Sequence, residues 1–145
     1  MKKRLISIIL ISCVLLALAA CGADKGYTQI TAEEAKAIMD SSDDVVILDV
    51  RTEEEFAEGH IPGAILIPDY EIEEQAETQL KDKDQVILVY CRSGNRSKAA
   101  SAALAEMGYT NVQEFGGIID WPYETDKEKT YRPCDKPGDE KYKQE

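Results

Sequence analysis

Thiol chemistry concentrates in one stretch, Cys91-Arg92-Ser93-Gly94-Asn95-Arg96-Ser97, which follows the apolar run Val86-Ile87-Leu88-Val89-Tyr90 and precedes the helix-forming Lys98-Ala99-Ala100. A hydrophobic strand that breaks into a polar loop and then a helix puts Cys91 at the carboxyl end of a strand, where parallel sheets bind ligands. The loop runs into a helix amino terminus, whose unpaired N–H groups and dipole favour an anion. Gly94 can adopt a positive φ, so successive amides can turn inward as an anion-holding nest. Arg92 and Arg96 add guanidiniums that stay charged at any relevant pH. Each feature favours thiolate over thiol, and comparable surroundings lower a cysteine pKa from ~8.5 to roughly 3.5–7.5. Cys91 is therefore read as an ionised nucleophile.

The target of that nucleophile follows by elimination. A cysteine hydrolase needs a histidine as base and then as acid, and the chain has one, His60. His60 stands in Gly59-His60-Ile61-Pro62-Gly63 among turn residues, which suits a structural imidazole better than a catalytic one. Phosphate-monoester and arsenate chemistry at cysteine uses a loop resembling Cys-x5-Arg. Here the arginine is Arg96 and the next position is Ser97, so the cradle is shorter and fits a smaller group such as a single sulfur atom. Sulfur transfer also needs no proton shuttle, because the nucleophile is already ionised and sulfite leaves as a stable anion.

The elements that must position the loop are legible as a strand–helix alternation. Val45 to Val50 and Val86 to Tyr90 are continuous apolar runs, the pattern of central strands covered on both faces. Thr28 to Ile30, Ala64 to Ile67 and Val112 to Phe115 complete five strands. Capping boxes Thr31/Glu34 and Thr52/Glu55 open helices, the second carrying Phe56 inward. Ile72, Ala76 and Leu80 mark another helix, and Ala100, Ala103, Leu104 and Met107 a last one ending at Gly108. The fold class is α/β, with crossover connections. Glu53-Glu54-Glu55 with Glu58, and Glu71, Glu73, Glu74 and Glu77, read as solvated helix faces. Asp49 and Arg51 read as an ion pair or cap at a strand end, with Arg51 a possible pocket residue.

With these motifs in view, the chain resembles the single-domain rhodanese (thiosulfate or persulfide sulfurtransferase) family. Ile47-Leu48-Asp49-Val50-Arg51-Thr52, Glu55-Phe56 and Gly59 to Ala64 are similar to its amino-terminal signature, and Cys91 to Ser97 to its active loop. Gly116-Gly117 and Trp121 resemble its closing segment. The resemblance implies a five-stranded, mainly parallel sheet flanked by helices, with no cofactor. It implies that Cys91 carries sulfane sulfur as a persulfide, that amides of Arg92 to Arg96 hold it, and that the arginines receive the anionic donor. The implied partners are thiosulfate or a persulfide as donor and a thiol as acceptor. A noncatalytic persulfide- or thiol-binding module is the first alternative, and a cysteine phosphatase or arsenate reductase, disfavoured by the shorter loop, the second.

Composition limits the rest. Of 145 residues 31% are charged, with 28 acids against 17 Lys and Arg for a net charge of −11, which argues against nucleic acid as a partner. The four cysteines form no C-x-x-C pair, so no metal site is expected. Met1-Lys2-Lys3-Arg4 followed by an apolar run to Ala20 has the layout of a cleaved secretory signal, residues 1–20. Leu18-Ala19-Ala20-Cys21 resembles the lipobox of bacterial lipoproteins, implying acylation of Cys21 and an extracytoplasmic, membrane-tethered protein. Loss of Lys2, Lys3 and Arg4 would take the charge from −11 to −14. Residues 21–26 then form a tether, 27–124 the domain, and 125–145 a charged tail too poor in apolar groups to fold. Cys134 in that tail reads as free or intermolecularly paired, with a disulfide to Cys91 as an alternative off state.

Overall fold

Val45–Asp49 (β2) and Val86–Cys91 (β4) pair in parallel along their whole length, Val45 opposite Val86 and Asp49 opposite Tyr90. The computed structural model describes residues 26–127, and the signal, Cys21 and Cys134 lie outside them. Short strands Thr28–Gln29 (β1), Ile65–Leu66 (β3) and the longer Val112–Gly117 (β5) complete a five-stranded sheet in the order β1-β5-β4-β2-β3. Every neighbouring pair is parallel, as the apolar runs of the central strands require.

Helices Ala32–Ser41 (α1), Glu53–Glu58 (α2), Ile72–Gln79 (α3) and Asn95–Glu106 (α4) make the crossovers. Both predicted capping boxes are formed, Thr31 with Glu34 and Thr52 with Glu55. A 3-10 turn at Asp69–Glu71, not foreseen from the sequence, leads into α3. A second, Ile118–Asp120, follows β5.

Strand alternation divides the core into two layers. Ile87, Val89 and Cys91 of β4 face one side, where they pack with Ala76 and Leu80 of the α3 region and Ala100 and Leu104 of α4. Leu88 and Tyr90 face the other, with Ala35 of α1, Phe115 and Trp121. Cys91 therefore emerges on the α4 side because it falls in alternation with Ile87 and Val89. Trp121 is packing, 5.6 Å from the Phe115 ring centroid.

The folded segment runs slightly past the boundary expected at residue 124. Asp126 forms an isolated antiparallel bridge with His60, each backbone N–H bonded to the other carbonyl at 2.8 Å. The polar composition of that stretch hid this pairing, because backbone groups alone make it. No helix among the described residues is long and apolar enough to cross a membrane.

Candidate active site

β4 delivers Cys91 to the loop with only 1% of its surface exposed. Gly94, the N-cap of α4, has φ +92°, and the left-handed turn aims its N–H at the Cys91 sulfur, 3.1 Å away. Burial by itself would raise the thiol pKa, but it is outweighed. The Ser97 hydroxyl and N–H, with the N–H groups of Ser93 and Gly94, favour the thiolate and leave the group below the ordinary thiol value. The N-cap of α4 thus presents a donor to the Cys91 sulfur.

β5 supports the loop from beneath. Its register against β4 slips between Val89, opposite Glu114, and Cys91, opposite Gly117. The bulge turns the Gly116 peptide toward α4, where its carbonyl lies 3.3 Å from Ser97 Oγ. Gly117 then passes so close beneath the loop that a Cβ on it would stand 2.1 Å from the Arg92 carbonyl oxygen. Only glycine fits there, which gives the Gly116-Gly117 pair a steric reason.

The charged residues divide into committed and free. Arg96, half-buried, holds Glu55 with both terminal nitrogens, at 2.7 and 2.8 Å. That bond raises the Arg96 pKa and holds the Glu55 carboxyl down at about 2. Glu55 was expected on a solvated face; it caps α2 and also reaches across to α4. Arg92 is exposed and enters none of the ion pairs among the described residues. Ser93 and Asn95 are exposed loop positions, while Ser97 is fully buried.

Arg51 is turned inward. It is 5% exposed, with Nε and Nη2 on the Asp49 carboxylate at 2.6–3.0 Å and Nη2 on the Gly59 carbonyl at 2.7 Å. Burial opposes its charge, Asp49 more than compensates, and the pKa is raised. His60 is likewise structural, its Nδ1 2.9 Å from the Phe56 carbonyl and its ring stacked on Phe56 at 3.8 Å. A groove of ≈ 730 Å³ lined by Lys36, Met39, Ile61, Trp121 and Tyr123 includes none of the loop residues.

One residue at the site escaped the sequence reading. Glu114, on the inward face of β5 and 2% exposed, accepts from Ser97 Oγ at 2.7 Å and from Gly116 N–H at 2.9 Å. Its signal was an acid at an inward strand position just before the glycine pair.

The family model of the rhodanese-like domain matches residues 31–122. The chain belongs to that family. A rhodanese-like relative, the thiosulfate sulfurtransferase PspE of Escherichia coli K12, is 42% identical over 73 residues, covering 50% of this chain and 70% of that one. A putative sulfurtransferase, YtwF of Bacillus subtilis 168, is 38% identical over 97 residues, covering 67% of this chain and 92% of its own. Among solved structures, a rhodanese with anions from E. coli superposes with a TM-score of 0.55 at 38% identity, covering 57% of this chain and 98% of that one. Rhodanese-like relatives of this kind support a general sulfurtransferase activity for the chain.

Proposed function

We propose that this protein moves sulfane sulfur from thiosulfate or a persulfide to a thiol acceptor through a persulfide on Cys91. The observation that carries the reading is the Gly94 N–H on the Cys91 sulfur at 3.1 Å, at the head of α4. A sulfur held this way is ready to attack without a base, which suits a chain whose one histidine is locked against Phe56. The Cys91 thiolate attacks the outer sulfur of thiosulfate; an S–S bond forms, the donor's S–S bond breaks, and sulfite departs with the electron pair. The acceptor thiolate then attacks the outer sulfur of the Cys91 persulfide, and Cys91 leaves again as thiolate. Electrons balance with no external oxidant.

Intact-mass measurement after thiosulfate treatment tests the carrier: one added sulfur is expected, and none in Cys91→Ser. Steady-state turnover with thiosulfate and a thiol separates an enzyme from a module that loads sulfur without passing it on. Absence of the added sulfur overturns the reading.

We infer further that the protein is lipid-anchored outside the cytoplasm, from Leu18-Ala19-Ala20-Cys21 directly after the apolar run. Incorporation of a labelled fatty acid, lost in Cys21→Ala together with membrane retention, is the expected result.

A further inference from the structure

Glu114 has no part in the sulfur-transfer steps, yet it is a carboxylate buried directly beneath the loop. Its donors are Gln29 Nε2 at 3.0 Å, the Gly116 N–H at 2.9 Å and Ser97 Oγ at 2.7 Å, none of them charged. A parallel sheet ordinarily buries an aliphatic side chain at such a position, and a buried acid is costly unless its hydrogen bonds are made.

Ser97 bonds this acid and closes the loop that the nucleophile opens. Its hydroxyl has a single hydrogen to donate. Glu114 Oε1 accepts it at 2.7 Å and the Gly116 carbonyl lies at 3.3 Å, while the same hydroxyl, with the Ser97 N–H, favours the Cys91 thiolate. Of the two oxygen contacts the one to the carboxylate is the shorter, a full hydrogen bond.

From this juxtaposition we propose that Glu114 is a positioning residue for Cys91: it draws the Ser97 hydroxyl proton away from the sulfur and keeps the thiolate more basic than it would otherwise be. Intrinsic nucleophilicity rises with thiol basicity, so the arrangement trades some ionisation for a stronger attacking sulfur. The other charges near the sulfur are Arg96, itself paired with Glu55 and influenced by Asp69, and Arg92 in the loop. All four are unchanged in the test variants.

The test is the pH dependence of Cys91 alkylation by iodoacetamide in the full chain, read by peptide mass so that other thiols do not interfere. Glu114→Gln, nearly isosteric, is expected to lower the midpoint by about half a unit to one unit, because the competing negative acceptor is gone. Ser97→Ala is expected to raise it, and adding Glu114→Gln to Ser97→Ala is expected to change nothing further. Gln29→Ala, at an exposed position, removes a donor from Glu114, strengthens its hold on Ser97 and is expected to raise the midpoint. If Glu114→Gln does not fold, the Gln29→Ala shift decides. An unmoved or raised midpoint in Glu114→Gln, an equal shift without Ser97, or no shift in Gln29→Ala overturns the proposal. The inference deepens the sulfur-carrier reading, but alkylation needs no sulfur donor, so its failure is distinct from a failed persulfide measurement.

Discussion

Both terminal nitrogens of Arg96 engage both carboxylate oxygens of Glu55, joining the first turn of α4 to the first turn of α2 across 41 positions of sequence. One guanidinium of the active loop is therefore neutralised before any donor arrives. Glu55→Gln separates the charge from the cap, because glutamine still serves at that place in a capping box. The freed Arg96 is expected to lower KM for thiosulfate by roughly two- to fivefold, the worth of an exposed charge contact. Stability at neutral pH is expected to fall by on the order of 1 kcal/mol, after allowance for screening of a pair that is partly exposed. The folded-state pKa of about 2 lies below the ordinary 4.5, so this contribution is complete above the ordinary value and disappears as pH falls through the folded one. Urea titrations of both proteins at pH 7 and pH 2 check it: the gap between them narrows in acid.

The two neighbouring glycines under the loop make a contrast. At Gly117 a Cβ would collide with the Arg92 carbonyl and the Ser93 Cα, at 2.1 and 2.6 Å. Gly117→Ala is expected to cost about 1–3 kcal/mol as overpacking. It should also reduce kcat by roughly a hundredfold, because displacing Ser93 moves an amide that serves the sulfur. Gly116, with φ +91°, has open space around the same atom. Gly116→Ala should therefore cost about 1 kcal/mol of backbone strain with a smaller loss of rate. Thermal melts and single-turnover sulfur transfer on both variants distinguish collision from strain.

What could be read in advance was local. The apolar runs of β2 and β4, the two capping boxes and the strand–loop–helix pattern around Cys91 each depend on spacing within a few residues, and each is formed. Pairings set by tertiary placement were not legible. Glu55 carries a strong local signal as a capping residue, which masked its second partner 41 positions away. Glu114 sits opposite Gln29 and Val89 only because β5 lies between β1 and β4, a strand order that periodicity does not encode. Arg51 could be placed at a strand end but not turned inward or outward until Asp49 and the Gly59 carbonyl were positioned around it.

That inward turn makes Arg51 a stability residue. Asp49 is fully buried, and the Arg51 backbone N–H and guanidinium are its donors, with the guanidinium also 5.7 Å from the Tyr90 ring. Arg51→Met leaves the Asp49 charge without its cation and the Gly59 carbonyl without a donor. The expected cost is roughly 3 kcal/mol or more, since breaking one side of a buried pair strands the other. Urea unfolding should show a lower midpoint at unchanged slope, with KM for thiosulfate in the folded fraction close to wild type. A raised KM without loss of stability would return Arg51 to the pocket.

With Arg96 held by Glu55, Arg92 is the guanidinium of the loop that remains available to an anionic donor. It works against the field of the molecule, whose acids outnumber its bases by 11. Arg92→Ala is expected to raise KM for thiosulfate by roughly tenfold, the lower end of a hydrogen bond to a charged group. Ionic strength should act in opposite directions on the two proteins. In wild type, salt weakens both the long-range repulsion of the dianion and the short-range attraction of Arg92, and over a Debye length of about 10 Å at 0.1 M the repulsion is lost first. Modest salt is therefore expected to improve kcat/KM for thiosulfate before higher salt reduces it, whereas Arg92→Ala should only improve. A monotonic fall in wild type from the lowest salt would mean that attraction at the loop, rather than repulsion by the whole chain, governs the encounter.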